Sequence, residues 1–544
     1  MKVAVLVLAV VLAFAAPAQE TPQLAESIEV RVTNVDVIVT DRSGRHITGL
    51  TPADFEVFEG GKPQPITNFY EVTAETTVAD FAVPPEKNRR RIVVFVDNFS
   101  TTPLMRNQAL QAFERSLDTL LRPEDEAMLV FWNEGMEMVT PLTSDRELLR
   151  TRFREASKRS AGGTTVQFGR RTLVMLAKRL LEESNNGYRP HKEAYAIAVE
   201  AARSHGELLW SAGTLMIDDL KSTITMLAGV EGKKAVIFIG AELPENPALE
   251  LFEEIDSMFF YYIRDIIPAN LRDTERRLVL PMADLAKHAN ANGVTMYMVD
   301  ASDRARMADA SNYEPNDMAT VNQAEINTSR GLRQIAWSTG GIAIPTGRSF
   351  GSALQTVAMD LSSYYSLGYR SPDGQSDARR ISVKVKRDGL RVRTRDSYIR
   401  KSDSDQIRDR LIANVFHAGR IASDFEVTLD MGHIERKDNG RSLIPLVVTF
   451  PSSITLIPDG ENNLAGEFEV SIVTGLETGE LSRVSTKVHP LKFTAADRPK
   501  LDALKTFSFR APLEISKGPH IVSVAVTDKL AGTTGFARAV VSGD

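Results

Sequence analysis

Ile92-Val-Val-Phe-Val96 is a continuous apolar run of the kind expected for a strand covered on both faces. The same texture returns at Ala127–Trp132, Ala235–Ile239, Val294–Val299 and Gly341–Ile344. Between these runs the chain reads as helix, over Pro103–Leu121, Arg146–Ser157, Arg170–Glu183, His191–Ala228, Ala283–Asn292 and Arg330–Ser338. Apolar strands alternating with helical periods predict a doubly wound, mainly parallel α/β sheet spanning residues 91–365.

The flanks read as β structure. Over residues 28–73, alternating stretches such as IEVRVTNVDVIVTD, with turns at Asp41–Gly44 and Glu59–Gly61, predict a small β module. A polar, proline-bearing stretch from Thr73 to Arg91 reads as a linker. Beyond the α/β layer, over residues 366–400, Ile381–Lys386 and Leu390–Thr394 surround an Asp388-Gly389 turn and predict a hairpin. Neither β part has enough strands to bury a stable core, so the hairpin is expected to pair with the amino-terminal module. A helical connector over 405–422 leads to residues 424–544, where about seven strands with regular turn signals suggest a β-sandwich.

Composition narrows the function. Lysine and arginine total 65 against 71 acids, so no overall basic field exists to hold a nucleic-acid backbone. Cysteine is absent, which excludes disulfides, thiolate metal sites and thiol catalysis. Met1-Lys2 precedes fourteen apolar residues, Val3 to Ala16, and then Ala16-Pro17-Ala18, which has the small-x-small form of a cleavage site. Residues 1–18 therefore read as a signal peptide, and the protein is expected to be secreted or periplasmic, with no membrane span in the mature chain.

Particular strings carry a resemblance. The strand RIVVFVD from Arg91, the NFSTT loop after Asp97, the AGGTT turn at Ala161 and the KKAVIFIG strand from Lys233 resemble a von Willebrand factor A-type domain. VIVTDRSGRHITGLTPADFEVFEGGKPQPITNF before it and DLSSYYSLGYRSP after it resemble the acidobacterial von Willebrand factor A-related family, over roughly residues 30 to 400. The resemblance implies a metal-ion-dependent adhesion site: an aspartate and two hydroxyls in one loop, a threonine in a second, and an aspartate after the fourth strand. Such hard oxygen donors suit octahedral magnesium. Asp97, Ser100, Thr101, Thr164 and Glu242 are the matching candidates, but Phe99 stands where a serine belongs and Gly240-Ala241 where a threonine and an aspartate belong. The site reads as degenerate, and magnesium is expected to bind weakly or not at all.

The remaining strings offer little chemistry. Gly347-Arg-Ser349-Phe-Gly351 satisfies the nucleophile-elbow pattern, yet the histidines a hydrolase needs downstream, His417, His433, His489 and His520, lie beyond the α/β layer. The turn Gly229–Lys234 and the basic runs Arg89–Arg91 and Arg391–Arg395 read as solvated surface. The excursion from Leu243 to Leu280 carries Met258-Phe-Phe-Tyr-Tyr-Ile263, and aromatic residues are favoured anchors at interfaces. The expected function is non-enzymatic: binding of a protein partner at the loop edge of the sheet, with Phe99, Thr164, Phe259, Tyr261 and Tyr262 as contacts. A serine hydrolase using Ser349 is the alternative.

Overall fold

The structure, a computed structural model, describes residues 32–73, 89–241, 243–263, 277–302, 315–345, 349–371, 378–417, 421–437, 440–460 and 462–543. The leader and most of the 73–91 linker lie outside the described residues. Four strands open the chain: β1 (Val32–Thr40), β2 (Phe55–Glu59), β3 (Lys62–Gln64) and β4 (Ile66–Val72).

The α/β layer follows. It comprises β5 (Arg90–Asp97), α1 (Pro103–Leu120), β6 (Glu126–Trp132), β7 (Met136–Thr143), α2 (Arg146–Ala156), α3 (Gly163–Asn185), α4 (His191–Ala228) and β8 (Lys233–Gly240). Its second half holds α5 (Leu249–Ile263), α6 (Val279–Ala291), β9 (Val294–Asp300), α7 (Pro315–Ser338), β10 (Ala343–Ile344) and α8 (Phe350–Ser362). The six-stranded sheet runs β10-β9-β8-β5-β6-β7, parallel except for the edge strand β7. Ile92, Val94 and Val96 pack on one face with Phe113 and Leu354, while Val93 and Phe95 pack on the other with Ile217 and Leu285. Burial on both faces is why the central residues of these strands are apolar without alternation.

The sheet order reverses between β5 and β8, which puts the crevice of the fold at the carboxyl ends of those two strands. Helix α3 begins at Gly163, earlier than its apolar period implied, because the Gly162-Gly163 pair packs directly on the backbone after β5. The α/β layer closes at Ser362, and the next strand, β11 (Tyr364–Arg370), belongs instead to the β module.

That module draws on both sides of the α/β layer. β12 (Arg379–Val385), β13 (Arg391–Arg393) and β14 (Ser397–Tyr398) complete two four-stranded sheets, β13-β1-β11-β4 and β14-β12-β2-β3. Val35, Val37, Val57, Tyr365, Leu367 and Ile381 form the core between them. The register Val383↔Val57 across β12 and β2 shows how closely the two chain segments interlock.

Helix α9 (Asp403–Phe416) connects to a carboxyl-terminal pair of antiparallel sheets built on the long strands Ser442–Pro451, Asn463–Gly475, Thr506–Ile515, Pro519–Asp528 and Thr533–Ser542. From Leu411 to Phe416 every residue of α9 is buried, so the helix joins the α/β core to sandwich residues Val473, Ile521, Ala525 and Phe536.

Several basic residues are not the solvated surface their sequence suggested. Arg90 and Arg91 are buried, Arg90 Nε donating to Asp125 Oδ2 at 2.8 Å and Arg91 Nε to Glu126 Oε2 at 3.1 Å. The Lys233 side chain is only 6% exposed, with its ammonium 3.3 Å from Asp36. Strand starts at the lower end of the sheet are covered by the β module, and carboxylates there replace solvent.

Candidate functional site

Strand β5 delivers Asp97 to the sheet's carboxyl edge, fully buried. Its Oδ1 accepts hydrogen bonds from Phe99 N and Ser100 N, both at 3.0 Å, and Ser100 Oγ donates to its Oδ2. The carboxylate therefore shapes the loop 97–102, which Thr102 and Pro103 end by capping α1. Thr101 is fully buried in this loop, and its hydroxyl has no hydrogen-bond partner among the described residues.

Arg106 holds this loop to its neighbour. It is 1% exposed, and its guanidinium donates to Asn98 Oδ1 at 2.7 Å and to the carbonyls of Ser157, Arg159 and Ser160 at 3.1, 2.7 and 3.0 Å. Burial among carbonyls, with Arg159 nearby, lowers its pKa. Asn98 adds a donor to Ser160 O and accepts from Gly162 N, both at 2.8 Å. A Cβ on Gly162 would lie 2.6 Å from Phe99 O, and one on Gly163 2.4 Å from Ser100 O. Only glycine permits so close a backbone approach. The glycine pair is visible in the sequence as AGGTT; the roles of Arg106 and Asn98 are not, because a helical arginine and a loop asparagine have ordinary surface uses.

The other candidates divide. Phe99 is half-buried with its ring edge-on to Trp132, centroids 5.6 Å apart. Thr164 stands exposed in the first turn of α3, and Ala241 is buried beside Gly240. Glu242 lies outside the described residues. Asp300, at the end of β9, was not singled out in the sequence; it is buried, and its Oδ1 accepts from Ser302 N at 2.9 Å.

A magnesium cage needs about six oxygen positions in near-octahedral geometry. The described residues do not fit one: both oxygens of Asp97 serve its own loop, Thr164 faces solvent, Ala241 offers no donor, and no cluster of three or more acidic or histidine side chains is placed around a common point among the described residues.

The aromatic excursion does not bring its rings to these loops. Helices α3, α4 and α5 make a three-helix arm with its own core of Leu180, Ala198, Leu251, Ile255 and Phe259. Phe259, expected as a partner contact, is 0% exposed against Tyr195, since its position on α5 faces the arm's interior. Tyr261 is 89% exposed, and Tyr262 stacks on His191 with centroids 4.1 Å apart. These tyrosines lie about 20 Å along α5 from its start, at the far end of the arm.

Ser349 is the N-cap of α8 and accepts a hydrogen bond from Ser352 N at 3.2 Å. Three of the four downstream histidines are engaged elsewhere, His417 against Glu126, His489 stacked on Phe468 and His520 with Ser516, and His433 is exposed on the carboxyl-terminal sheets.

Among the described residues, no helix is long and apolar enough to cross a membrane. No family model matches the sequence, and no curated protein matches it either. Solved structures give low similarity. An aerotolerance-related membrane protein from Bacteroides fragilis NCTC 9343 aligns over 50% of this chain and 98% of its own, at 10% identity and a TM-score of 0.22. A pilus adhesin, SpaC, from Lactobacillus rhamnosus GG aligns over 92% of this chain and 62% of its own, at 10% identity and a TM-score of 0.24. A β-glucuronidase from Bacteroides uniformis aligns over 35% of this chain and 20% of its own, at 8% identity and a TM-score of 0.15. At such scores the likeness does not reach a shared overall fold.

Proposed function

We propose that the chain is an exported, non-enzymatic binding protein that presents a von Willebrand factor A-type sheet edge to a protein partner and works without a resident metal. One observation carries the reading: loops 97–102 and 157–163 are locked to each other by Arg106, Asn98 and the Gly162-Gly163 contact. Loops held this way lose little freedom on binding, which favours affinity. They sit beside the order reversal of the sheet, where open α/β folds bind their ligands. The strand order, with its antiparallel edge strand, supports the family resemblance, and the leader-like segment over 1–18 supports export. Against the hydrolase alternative, Ser349 caps α8, and His417, His489 and His520 have partners elsewhere.

The test is partner capture from periplasm and culture medium with wild type and with Thr164→Arg, an exposed position that leaves the loop core intact. A partner bound by wild type and lost by Thr164→Arg at unchanged melting temperature supports the proposal. A partner held equally by both moves the surface elsewhere, and labelling of Ser349 by a fluorophosphonate establishes the hydrolase.

A further inference from the structure

A cavity of about 450 Å³ lies at the opposite end of the sheet, in the seam between the β module and the starts of β8 and β9. Its roof is one face of the sheet β13-β1-β11-β4. Asp36 and Ile38 on β1, Tyr364 and Ser366 on β11, and Tyr70 and Val72 on β4 fall on that face by the strand registers, the opposite face being the module's own core. Its floor is the turn into β8 with Lys233 and Lys234, joined by Arg393 and Arg395 from the end of the module.

The charges of this cavity do not balance. Lys233 is paired with Asp36 at 3.3 Å and lies over the Tyr364 ring at 3.2 Å. Arg393 is paired with the buried Asp360 by two hydrogen bonds of 2.8 and 2.7 Å. Lys234 has only the carbonyls of Ala228 and Val230, at 3.4 and 3.2 Å, and no carboxylate within salt-bridge distance among the described residues. Arg395 likewise donates to carbonyls, those of Asn34 and Asn290, and its buried Nε has no acceptor among the described residues. Glu231, the other acid of the lining, is exposed. Asp409 acts on Lys234 and Asp36 on Arg395 only from beyond contact distance, and each of those carboxylates is already paired, with Lys401 and Lys233. Two cations in a covered seam with no carboxylate of their own in contact cost stability unless an anion joins them.

We propose that this seam is a binding site for a small organic anion, a carboxylate or phosphate head held by Lys234 and Arg395 with a short apolar or aromatic body against Tyr70, Ile38 and Val72. The volume falls within the range of small-molecule pockets, and guanidinium and ammonium groups are the usual partners of such heads. Burial, with the cations of Lys401, Arg91 and Arg395 nearby and Asp409 offsetting them only in part, also lowers the Lys234 pKa to about 8, and an anion beside it would restore the charged form. Because the site lies at the amino ends of the strands, it stands independently of the partner edge proposed above.

The experiment is calorimetric titration of the full chain with phenyl phosphate, benzoate and, as the uncharged counterpart, phenol. Binding of phenyl phosphate or benzoate at one equivalent, without binding of phenol, is expected, and whichever probe is tighter identifies the head group. Lys234→Met and Arg395→Met should each lower that affinity about tenfold or more, since each removes a charge-assisted contact. Lys437→Met, at an exposed pair with Glu514, should leave it unchanged. In the wild type alone, affinity should fall as pH rises through about 8, the value at which Lys234 discharges, so the reading does not depend on any variant folding. Absence of binding by both anions, equal binding of phenol, or affinity indifferent to pH and to both substitutions would overturn the proposal.

Discussion

Asp360, fully buried on α8, receives three donors from the β module: His46 Nε2 at 3.0 Å and the two Arg393 nitrogens. Burial alone would raise its pKa, but the His46 and Arg393 hydrogen bonds outweigh it and hold the carboxyl below the usual range. A depressed carboxyl stabilises the fold above its unfolded pKa and loses that effect as pH falls through its folded value. Asp360→Asn should therefore cost about 3 kcal/mol in urea denaturation near pH 7, with the gap to wild type narrowing below about pH 4. Lys234 has the same slope with pH but is a cost at neutral pH, because there the buried group is the charged one. Between about 8, where the folded ammonium discharges, and its ordinary value of 10.5, the unfolded chain binds more protons, so stability rises with pH by roughly 3 kcal/mol from this group. Buried tyrosines set the upper end: burial pushes Tyr365 up to about 12, so above about pH 10 the unfolded chain sheds phenolic protons first and stability falls. The urea midpoint should peak near pH 10, and Lys234→Met should flatten the rise that leads there.

Among the elements, α5 shows what a sequence does and does not reveal. The cluster Met258–Ile263 is visible as an aromatic concentration, but its division into an inward Phe259 and an outward Tyr261 depends on where α4 lies, which no local pattern states. Phe259→Ala should cost roughly 3 to 5 kcal/mol, and Tyr261→Ala should stay within about 0.5 kcal/mol, both read by chemical denaturation. The apolar strands were legible for the converse reason, since burial on both faces leaves its mark along the central residues of β5, β6 and β8. Basic residues misled because their partners are remote: Arg90 needs Asp125 and Lys233 needs Asp36, and without those pairings each reads as surface. At the candidate site, Asp97 and the Gly162-Gly163 pair could be picked from sequence strings, whereas Arg106 acts through carbonyls some fifty residues away. Gly163→Ala, by driving a Cβ into Ser100 O, should destabilise the protein by about 1 to 3 kcal/mol in the same assay and weaken partner capture.

Across the whole molecule, three bodies share less independence than their separate textures suggest. The β module cannot form without strands from both sides of the α/β layer, since β11 pairs with β1 and β4 and β12 with β2. The sandwich reaches the α/β core through α9, with Asn414 Nδ2 donating to Ser523 Oγ at 3.1 Å and Ser523 Oγ donating to Leu411 O at 2.8 Å. Ile521 and Phe536 extend the same apolar cluster that contains Val93 and Ile217. A core that is continuous across a domain boundary couples the stabilities on its two sides. The chain offers a direct readout, because all three tryptophans, Trp132, Trp210 and Trp337, lie in the α/β layer. Ile521→Ala removes side-chain volume only from the sandwich side, at a cost of roughly 2 to 5 kcal/mol. If the two bodies unfold as one unit, tryptophan fluorescence and far-ultraviolet circular dichroism will shift to the same lower midpoint in this variant. An unchanged fluorescence midpoint beside a lowered dichroism transition would make the sandwich an independent domain and confine α9 to the role of a tether.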